Sequence, residues 1–403
     1  MRAPATFLLL LAYLAFVSLG LPDTVLGVAW PSLRGAFDLS QAGMSAVLVS
    51  QVSGYFLSGL VAGRLVGKLG VGGLLAGSSL LVALGLAGYA AAPAWALFFP
   101  WAAVIGLGSG AIDAGINGYA ARHFPVRHLN WLHAFWSVGA TAGPAIMTAL
   151  IAGGAGWRAG YAVLSAALAA MTAAFFITRS SWNDPAAPPQ PAPAGEDGQP
   201  PPHAPIADEP LAQVLRRGRV WLQIAIFFCY TGLEAGTGAW CFTVLREARG
   251  LSVEAAGALT TVFWGSLTAG RIAMGFVVDR VGADRLLRLA TLGALAGATL
   301  FAAGGAVGGG AGLVVLGVCL APLFPTLMAR TPARLGAGAT AHAVGFQVSA
   351  ATLGSAVMPS VAGFLAQRIG LGAVGPWLAL LALALLALHE TLLKVTRVRV
   401  AEA

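Results

Sequence analysis

Residues 63–70 read GRLVGKLG, and residues 275–282 read GFVVDRVG. The two stretches lie 212 positions apart, begin and end with glycine, and carry a basic residue at their sixth position. They differ at the fifth position, where Gly67 in the first copy corresponds to Asp279 in the second. This internal symmetry predicts that the chain is built from two structurally related halves.

A shift of 211 positions aligns further residue pairs of the two halves. The pairs are Asp23 with Glu234, Gly54 with Gly265, Gly106 with Gly317, Phe135 with Phe346 and Gly143 with Gly354. Together with the repeated loop, these pairs predict two six-helix halves that repeat each other.

The composition excludes most classes of protein. Of the 403 residues, 58% are apolar before the 54 glycines are counted, only 9% are charged, and the mean hydropathy is +0.81. Soluble domains contain about 25% charged residues. The chain is therefore neither a water-soluble fold with one core nor a disordered or disulfide-stapled protein. An all-α membrane protein remains.

Apolar segments follow one another along the chain. A transmembrane helix needs roughly 20 apolar residues, so twelve need roughly 240, which this chain supplies. We expect twelve spans at 6–30, 42–63, 72–92, 94–120, 131–153, 157–178, 220–244, 253–277, 286–307, 311–329, 338–366 and 371–392.

The segment between the sixth and seventh spans has a different composition. Residues 185–210 read PAAPPQPAPAGEDGQPPPHAPIADEP and hold ten of the 22 prolines. Such a run cannot bury a core and predicts a flexible linker. We expect an N-terminal six-helix bundle over 1–180, a proline-rich cytoplasmic linker over 181–218 and a C-terminal six-helix bundle over 219–403.

The net charge of +8 reflects orientation in the membrane and not a nucleic-acid partner. With alternating spans, 18 of the 23 Lys and Arg residues fall on the side of the two termini and the linker. The positive-inside rule therefore predicts that both termini are cytoplasmic. The first apolar run has no clear cleavage site, so we expect it to be retained as a span in a bacterial inner membrane.

Three acidic residues lie well inside the predicted spans: Asp23 in the first, Asp113 in the fourth and Glu234 in the seventh. A carboxylate in hydrocarbon is costly and normally faces a water-filled cavity or a partner. Pro22 precedes Asp23, and glycines surround Glu234, which predicts interrupted helices at matching places in the two halves. The alternative is a structural hydrogen bond between packed helices, with the glycines serving close packing.

Polar side chains form stripes along several otherwise apolar spans. In the fourth span Ser109, Asp113 and Asn117 are spaced so that they share one helix face. Similar stripes are Gln51, Tyr55 and Ser58 in the second span, His133, Ser137 and Thr141 beside Trp136 in the fifth, Tyr230, Glu234 and Thr237 in the seventh, and Trp264, Thr268 and Arg271 in the eighth. Convergence of these stripes predicts a cavity suited to a polyhydroxylated ligand such as a sugar.

Motifs of enzymes and pumps do not stand out in the sequence. We find no phosphate-binding loop, nucleophile–base pair, metal cluster or dinucleotide fingerprint. The three cysteines lie inside apolar runs without metal spacing. We therefore expect no metal, no cofactor and no enzymatic activity, and an ion gradient as the energy source.

Five stretches resemble a known family. They are GLPDTVLGVAWPSL at 20–33, DAGINGY at 113–119, LNWLHAFWSVGATAGP at 129–144, YTGLEAGTGAW at 230–240 and GRIAMGFVVDRVG at 270–282. Together with the repeat, they resemble the fucose permease-like branch of the major facilitator superfamily. The resemblance implies two pseudo-symmetric six-helix bundles and a sugar–proton symporter.

The resemblance also implies roles for individual residues. In that family an aspartate in the first span and an acidic residue in the fourth couple substrate to proton. Asp23 matches the first, and Asp113 matches the second, where a glutamate is expected. Asn117 and Trp240 also look like family features.

The predicted roles fall into three groups. Proton coupling is assigned to Asp113, Asp23 and Glu234. Substrate binding is assigned to Asp23, Asn117, Gln51, Tyr55, Trp136, Glu234, Trp240, Trp264 and Gln347. Gating is assigned to Asp279, Arg280 and Arg271. The expected partners are a small-molecule substrate, the proton and the lipid bilayer, with the protein as a monomer.

Two other functions are compatible with the sequence. The fragment Gly139-x-x-x-Gly143-Pro144 is part of an antiporter signature, which favours a proton-driven exporter of drugs or amphipathic metabolites. A membrane sensor or scaffold without transport is the third possibility. The intramembrane acids argue against it, since a scaffold has no need for their desolvation cost.

Overall fold

The computed structural model describes residues 5–124, 126–182 and 209–401, so most of the proline-rich segment lies outside the described residues. Within these ranges the chain forms helices and no strand. The helices are α1 Ala5–Asp23, α2 Leu26–Phe37, α3 Met44–Ala91, α4 Phe98–His123, α5 Val126–Ala152, α6 Gly156–Thr178, α7 Leu211–Leu215, α8 Gly218–Thr243, α9 Val253–Val281, α10 Ala283–Ala303, α11 Ala306–Leu320, α12 Leu323–Ala329, α13 Thr331–Leu335, α14 Ala337–Arg368 and α15 Val374–Ala401.

The all-α membrane fold is confirmed. Nine segments of the described chain are long and apolar enough to cross a bilayer. One of them, Gln41–Ala91, has 51 residues and changes direction at Gly70, so it accommodates two predicted spans. Outside these nine, α8 and α9 are continuous helices of 26 and 29 residues. These elements are consistent with the twelve predicted spans.

The final glycine of the repeated loop has a backbone reason. Gly70 has φ 70° and ψ 169°, and Gly282 has φ 82° and ψ 139°. Residues with a side chain rarely adopt this region, whereas glycine does so without steric cost. Both glycines join two long helices, and the same turn therefore recurs in the two halves.

Glycines also set the distance between neighbouring helices. A Cβ built on Gly106 of α4 would lie 1.9 Å from the carbonyl oxygen of Gln51 in α3. In the second half, a Cβ on Gly317 of α11 would lie 2.5 Å from the carbonyl oxygen of Phe263 in α9. The aligned glycines thus make equivalent backbone contacts, and the sequence repeat has a structural counterpart.

The same correspondence holds for the helices that carry the central polar groups. A Cβ on Gly143 of α5 would lie 2.3 Å from the Leu21 carbonyl oxygen in α1. A Cβ on Gly354 of α14 would lie 2.2 Å from the Phe228 carbonyl oxygen in α8. The helix α5 therefore crosses α1 as closely as α14 crosses α8, and small residues make both crossings possible.

The two ends of the helix assembly are distinct. The linker end contains Trp182 and Glu209, which flank the proline-rich segment, together with Gly70 and Gly282. The distal end is the opposite one, where α2 meets α3 and α14 meets α15. Residues 209–218, inside the predicted linker, contain α7 and contact the second half: the Glu209 amide donates to the Gly338 carbonyl.

Contacts between the halves close the distal end. Arg34 forms an ion pair with Glu247 at 2.8 Å, and the Gln41 side-chain amide donates to the same carboxylate at 3.2 Å. Below them, α2 lies against α8 so tightly that a Cβ on Gly27 would lie 2.6 Å from the Gly238 carbonyl oxygen. At these points the two halves are in direct contact.

A further contact between the halves, the α5–α9 seam, extends along the length of both helices. At its distal part Gly257 lies under Thr148, with 2.2 Å between the Thr148 hydroxyl oxygen and a Cβ on Gly257. In the middle the hydroxyls of Thr141 and Thr268 are 3.0 Å apart. The seam therefore holds the two halves together.

Replacement of Gly106 by alanine tests the close approach of α3 and α4. We expect Gly106→Ala to lower the free energy of unfolding by about 1–3 kcal/mol, since overpacking forces the helices apart. Gly59→Ala in α3 is the matched control, because a Cβ there meets no atom within 4 Å. The control should raise stability slightly, by up to about 1 kcal/mol, through helix propensity. Equal thermal midpoints for the two variants in detergent would contradict the packing argument.

Candidate functional site

Asp23 lies at a break in the first span. The helix α1 ends at Asp23, a turn follows, and α2 begins at Leu26. Pro22 has no amide hydrogen, and its carbonyl accepts only a long 3.4 Å hydrogen bond from the Val25 amide. The interruption predicted for this span is therefore present, and it places a carboxylate where the helical backbone is open.

The Asp23 carboxylate is exposed to solvent and is held by two neutral donors. The indole nitrogen of Trp136 in α5 donates to Oδ2 at 3.1 Å, and the Gln51 amide in α3 donates to Oδ1 at 3.3 Å. Three helices thus converge on one exposed carboxylate between closely packed spans. Such a group fits the wall of an aqueous cavity.

A second carboxylate centre forms around Asp113 of α4. The Tyr55 hydroxyl donates to Oδ2 at 2.6 Å, and the Asn117 amide donates to Oδ1 at 2.9 Å. All three side chains are half-buried. The i, i+4 spacing of Asp113 and Asn117 places both on the face predicted from the sequence.

The third carboxylate, Glu234 of α8, is buried and paired. Its Oε2 accepts a hydrogen bond from the Tyr230 hydroxyl at 2.5 Å, and its Oε1 lies 3.5 Å from an Arg271 guanidinium nitrogen. Only 11% of the Glu234 side chain and 12% of the Arg271 side chain are exposed. Pairing of this kind offsets the cost of removing both charges from water.

Arg271 connects this pair to the other half of the chain. Its Nη1 donates to the Ser137 hydroxyl of α5 at 2.5 Å, and its guanidinium lies 5.3 Å from the ring centroid of Trp136. Since Trp136 also donates to Asp23, contacts run from Glu234 to Asp23 through one arginine and one indole. Asp23 and Glu234, which belong to different halves, are therefore linked by a continuous chain of side-chain contacts.

The helix pattern, the repeat and this carboxylate site agree with one family. Residues 12–346 match the sequence profile of the Major Facilitator Superfamily. The chain belongs to the Major Facilitator Superfamily. It is a multi-pass membrane transporter of that family.

Known proteins similar to this transporter differ in what they are named for. "Bypass of stop codon protein 6" of Saccharomyces cerevisiae is 25% identical over 407 residues, covering 94% of this chain and 80% of its own. The E. coli fucose:proton symporter has 18% identity and a TM-score of 0.61, with 96% and 98% of the chains covered. A nucleoside transporter has 15% identity and a TM-score of 0.74, with 95% and 98% covered. At identities this low, the two structures show the fold alone.

Most predicted site residues of this facilitator meet around the three carboxylates. Trp264 also belongs to the group, because its ring lies 6.0 Å from that of Trp136 at an interplanar angle of 77°. The residues gathered there are Asp23, Gln51, Tyr55, Asp113, Asn117, Trp136, Glu234, Trp264 and Arg271.

Two predicted substrate-binding residues are not gathered with the others. Trp240 is fully buried, and its indole nitrogen donates to the Pro359 carbonyl at 2.8 Å. Gln347 is 1% exposed, and its amide donates to Gln223 at 2.9 Å while Thr331 donates to its oxygen at 3.1 Å. In this conformation their polar atoms are occupied by protein partners.

The predicted gating residues are found in different places. Arg271 lies inside the carboxylate site, whereas Arg280 is exposed at the linker end of α9. The backbone of Asp279 belongs to α9, but its side chain lies outside the described residues. The structure therefore describes only part of the predicted latch at this end.

The break predicted for the seventh span is absent, since α8 continues from Gly218 to Thr243. No proline removes an amide hydrogen in α8, so the helix tolerates its glycines. These glycines serve packing: a Cβ on Gly232 would lie 2.3 Å from the Met358 side chain, and one on Gly238 would lie 2.2 Å from Trp264.

Sequence reasoning did not assign a role to Arg34, Glu247 or Tyr230. Arg34 carried a weak signal, because it is one of the few basic residues predicted on the outer side. Its ion pair with Glu247 joins residues 213 positions apart, and no spacing rule predicts such a contact. Tyr230 was part of a polar stripe, and its i, i+4 relation to Glu234 is the signal that identifies it as a hydrogen-bond donor.

Removal of Arg271 tests whether the buried pair is needed for stability. Arg271→Gln leaves Glu234 buried and unpaired, so we expect the free energy of unfolding to fall by about 3–5 kcal/mol. Adding Glu234→Gln removes the uncompensated charge and should recover most of this loss. Arg280→Gln, an exposed change in the same helix, is the control. A double variant that is no more stable than Arg271→Gln in thermal unfolding would exclude the pair as the cause.

Proposed function

We propose that this transporter moves a small polar solute, most simply a sugar, by proton symport with alternating access. The observation that carries the proposal is the exposed Asp23 carboxylate, held at a helix break by the neutral donors Trp136 and Gln51. A carboxylate with this exposure can accept both a proton and the hydroxyl groups of a ligand.

The contacts of the three acids support different roles. The described donors to Asp113 are Tyr55 and Asn117, which are neutral, so protonation of Asp113 breaks no ion pair. Protonation of Glu234 would instead leave the Arg271 charge buried without its partner. On this basis Asp113 and Asp23 carry the proton, and Glu234 fixes Arg271 beside the substrate.

The chemistry of the site favours a polyhydroxylated or nucleoside-like ligand. Carboxylate, amide and phenol groups supply donors and acceptors, and the half-buried ring of Trp136 supplies an apolar surface for stacking. Among structures of similar fold are a fucose:proton symporter and a nucleoside transporter. Fucose and nucleosides are ligands of this kind. A membrane-permeant drug would need fewer such polar groups.

The exporter alternative loses its main support. The glycines of the signature fragment, Gly139 and Gly143, are needed where α5 crosses α1, because a Cβ built on them would lie 2.0 and 2.3 Å from the carbonyl oxygens of Val17 and Leu21. Packing therefore accounts for this fragment without any reference to the direction of transport.

The cycle alternates between openings at the two ends. Because the Arg34–Glu247 contact joins the halves at the distal end, we infer that solute reaches Asp23 from the linker end in this conformation. With the termini in the cytoplasm of a bacterium, as the distribution of basic residues indicates, this is the state that releases substrate inward. The protein acts as a monomer, in which the 1–180 and 219–403 bundles move against each other. Asp279 and Arg280 form the latch that closes the linker end in the opposite state.

Substrate-linked proton movement is the direct test. Internal pH would be followed in proteoliposomes while neutral sugars and then nucleosides are added outside. We expect acidification with one compound, abolished by Asp113→Asn because that variant cannot bind the proton. Asp38→Asn, an exposed change in the distal loop, should transport normally. Unchanged accumulation against a gradient by Asp113→Asn would overturn the assignment of the proton site, and acid-loaded vesicles that become alkaline with an amphipathic cation would indicate export.

Distances between the distal ends test alternating access. Spin labels at Gly35→Cys and Gly372→Cys, in a chain whose three native cysteines are serine, report on the two halves, since both positions are free of neighbouring atoms within 4 Å. Glu247→Gln should increase the long-distance population, by up to about fivefold, because it removes an exposed ion pair. Asp279→Asn should decrease it.

Glu254→Gln is the matched control for this measurement, since Glu254 is exposed and outside the contact between the halves. A distance distribution that does not respond to Glu247→Gln would show that another contact closes the distal end. An unchanged distribution in Asp279→Asn would exclude the latch.

A further inference from the structure

A basic cavity lies at the linker end of the second half, away from the three carboxylates. It has a volume of about 820 Å³, which is within the range of ligand pockets, about 300–1,000 Å³. Its wall contains four arginines, Arg216, Arg217, Arg219 and Arg334, with Gly336 of the α13–α14 turn. Four guanidinium groups around one cavity create a site for an anion.

Backbone contacts hold two of these arginines in place. Arg217 Nη1 donates to the Leu335 carbonyl at 2.7 Å, and Arg219 Nη1 donates to the Arg334 carbonyl at 3.0 Å. The carboxylate of Glu209 pairs with Arg217. Fixed guanidinium forks are suited to phosphate oxygens, because little side-chain freedom remains to be lost on binding.

Arg334 adds a hydrogen-bond donor that the described residues do not use. The side chain is almost completely buried, and its Nη2 donates to the Asp284 carboxylate at 3.0 Å. Arg330 forms an ion pair with the same carboxylate. Its Nη1 has no hydrogen-bond partner among the described residues. A buried donor of this kind is costly to leave unpaired, and an acceptor in the adjoining cavity would satisfy it.

The apolar part of the wall favours a lipid as the source of the anion. Leu222 and Val395 contribute apolar surface to the wall, and Val395 lies at the end of the apolar span Leu371–Thr396. Beside it Trp221 is 55% exposed at the start of α8, where tryptophan marks the level of the head groups. A free phosphate would contact only the arginines, whereas a phospholipid would also cover this apolar surface.

We propose that this cavity binds the phosphate of an anionic phospholipid, with its acyl chains along Leu222 and Val395. The site is formed by the start of α8, the turn between α13 and α14, and α15. None of its arginines belongs to the carboxylate site. Basic pockets between transmembrane helices on the cytoplasmic side recognise anionic head groups in this way.

Thermal unfolding of the full-length protein in detergent tests the site with three probes: phosphatidylglycerol, phosphatidylcholine and inorganic phosphate. We expect phosphatidylglycerol to raise the midpoint in a saturable way, and phosphatidylcholine to leave it unchanged. Arg216→Gln changes an exposed arginine of the wall. It should weaken the apparent affinity for phosphatidylglycerol, read from the concentration dependence of the midpoint, about fivefold. Arg285→Gln, an exposed arginine at the same end but outside the wall, is the matched control.

The other outcomes would overturn the proposal. Equal stabilisation by inorganic phosphate and phosphatidylglycerol, lost in Arg216→Gln, would show a site for soluble phosphate and exclude the lipid. An equal response of the two arginine variants would show nonspecific attraction to the basic surface. Absence of stabilisation by all three probes would show that the cavity does not bind phosphate.

Discussion

The cost of holding a carboxylate among apolar helices governs the centre of this transporter. Three acids occupy such positions, and each meets the cost in a different way. Asp23 remains exposed, Asp113 accepts hydrogen bonds from a phenol and an amide, and Glu234 is neutralised by Arg271. A group that is already paired resists a change of charge, whereas one that contacts neutral donors tolerates it. The three acids therefore differ in their exposure and in the charge of the side chains that contact them.

Close helix packing makes these environments possible. The crossings at Gly106 and Gly139 bring backbones within contact distance, so the polar side chains of α1, α3, α4 and α5 reach one another across the bundle. Larger residues at these crossings would separate the helices, and a hydrogen bond such as that from Gln51 to Asp23 would be lost. Small residues at the crossings and polar residues at the centre are thus parts of one design.

The fold and the three acids were accessible from the sequence, because hydropathy, an internal repeat and rare intramembrane charges are local signals. The polar stripes also predicted the Asp113–Asn117 face correctly. The sequence cannot tell which neighbour a polar side chain meets, however, and Gln347, assigned to substrate binding, has its polar atoms taken by Gln223 and Thr331 in this conformation. The continuous α8 shows a second limit, since glycines next to Glu234 permit a break without requiring one.

The α5–α9 seam has a mechanical consequence. When two bodies turn against each other, atoms near the axis keep their neighbours, and displacement grows with distance from that axis. The seam contains two close contacts, Thr141 with Thr268 and Thr148 with Gly257. Because breaking and re-forming such contacts costs free energy, this seam is the natural pivot. A lever with its fulcrum at mid-height cannot be raised at both ends. If the halves turn about this seam, only one end can open at a time, so the contact of a single pair of helices would exclude a continuous pore.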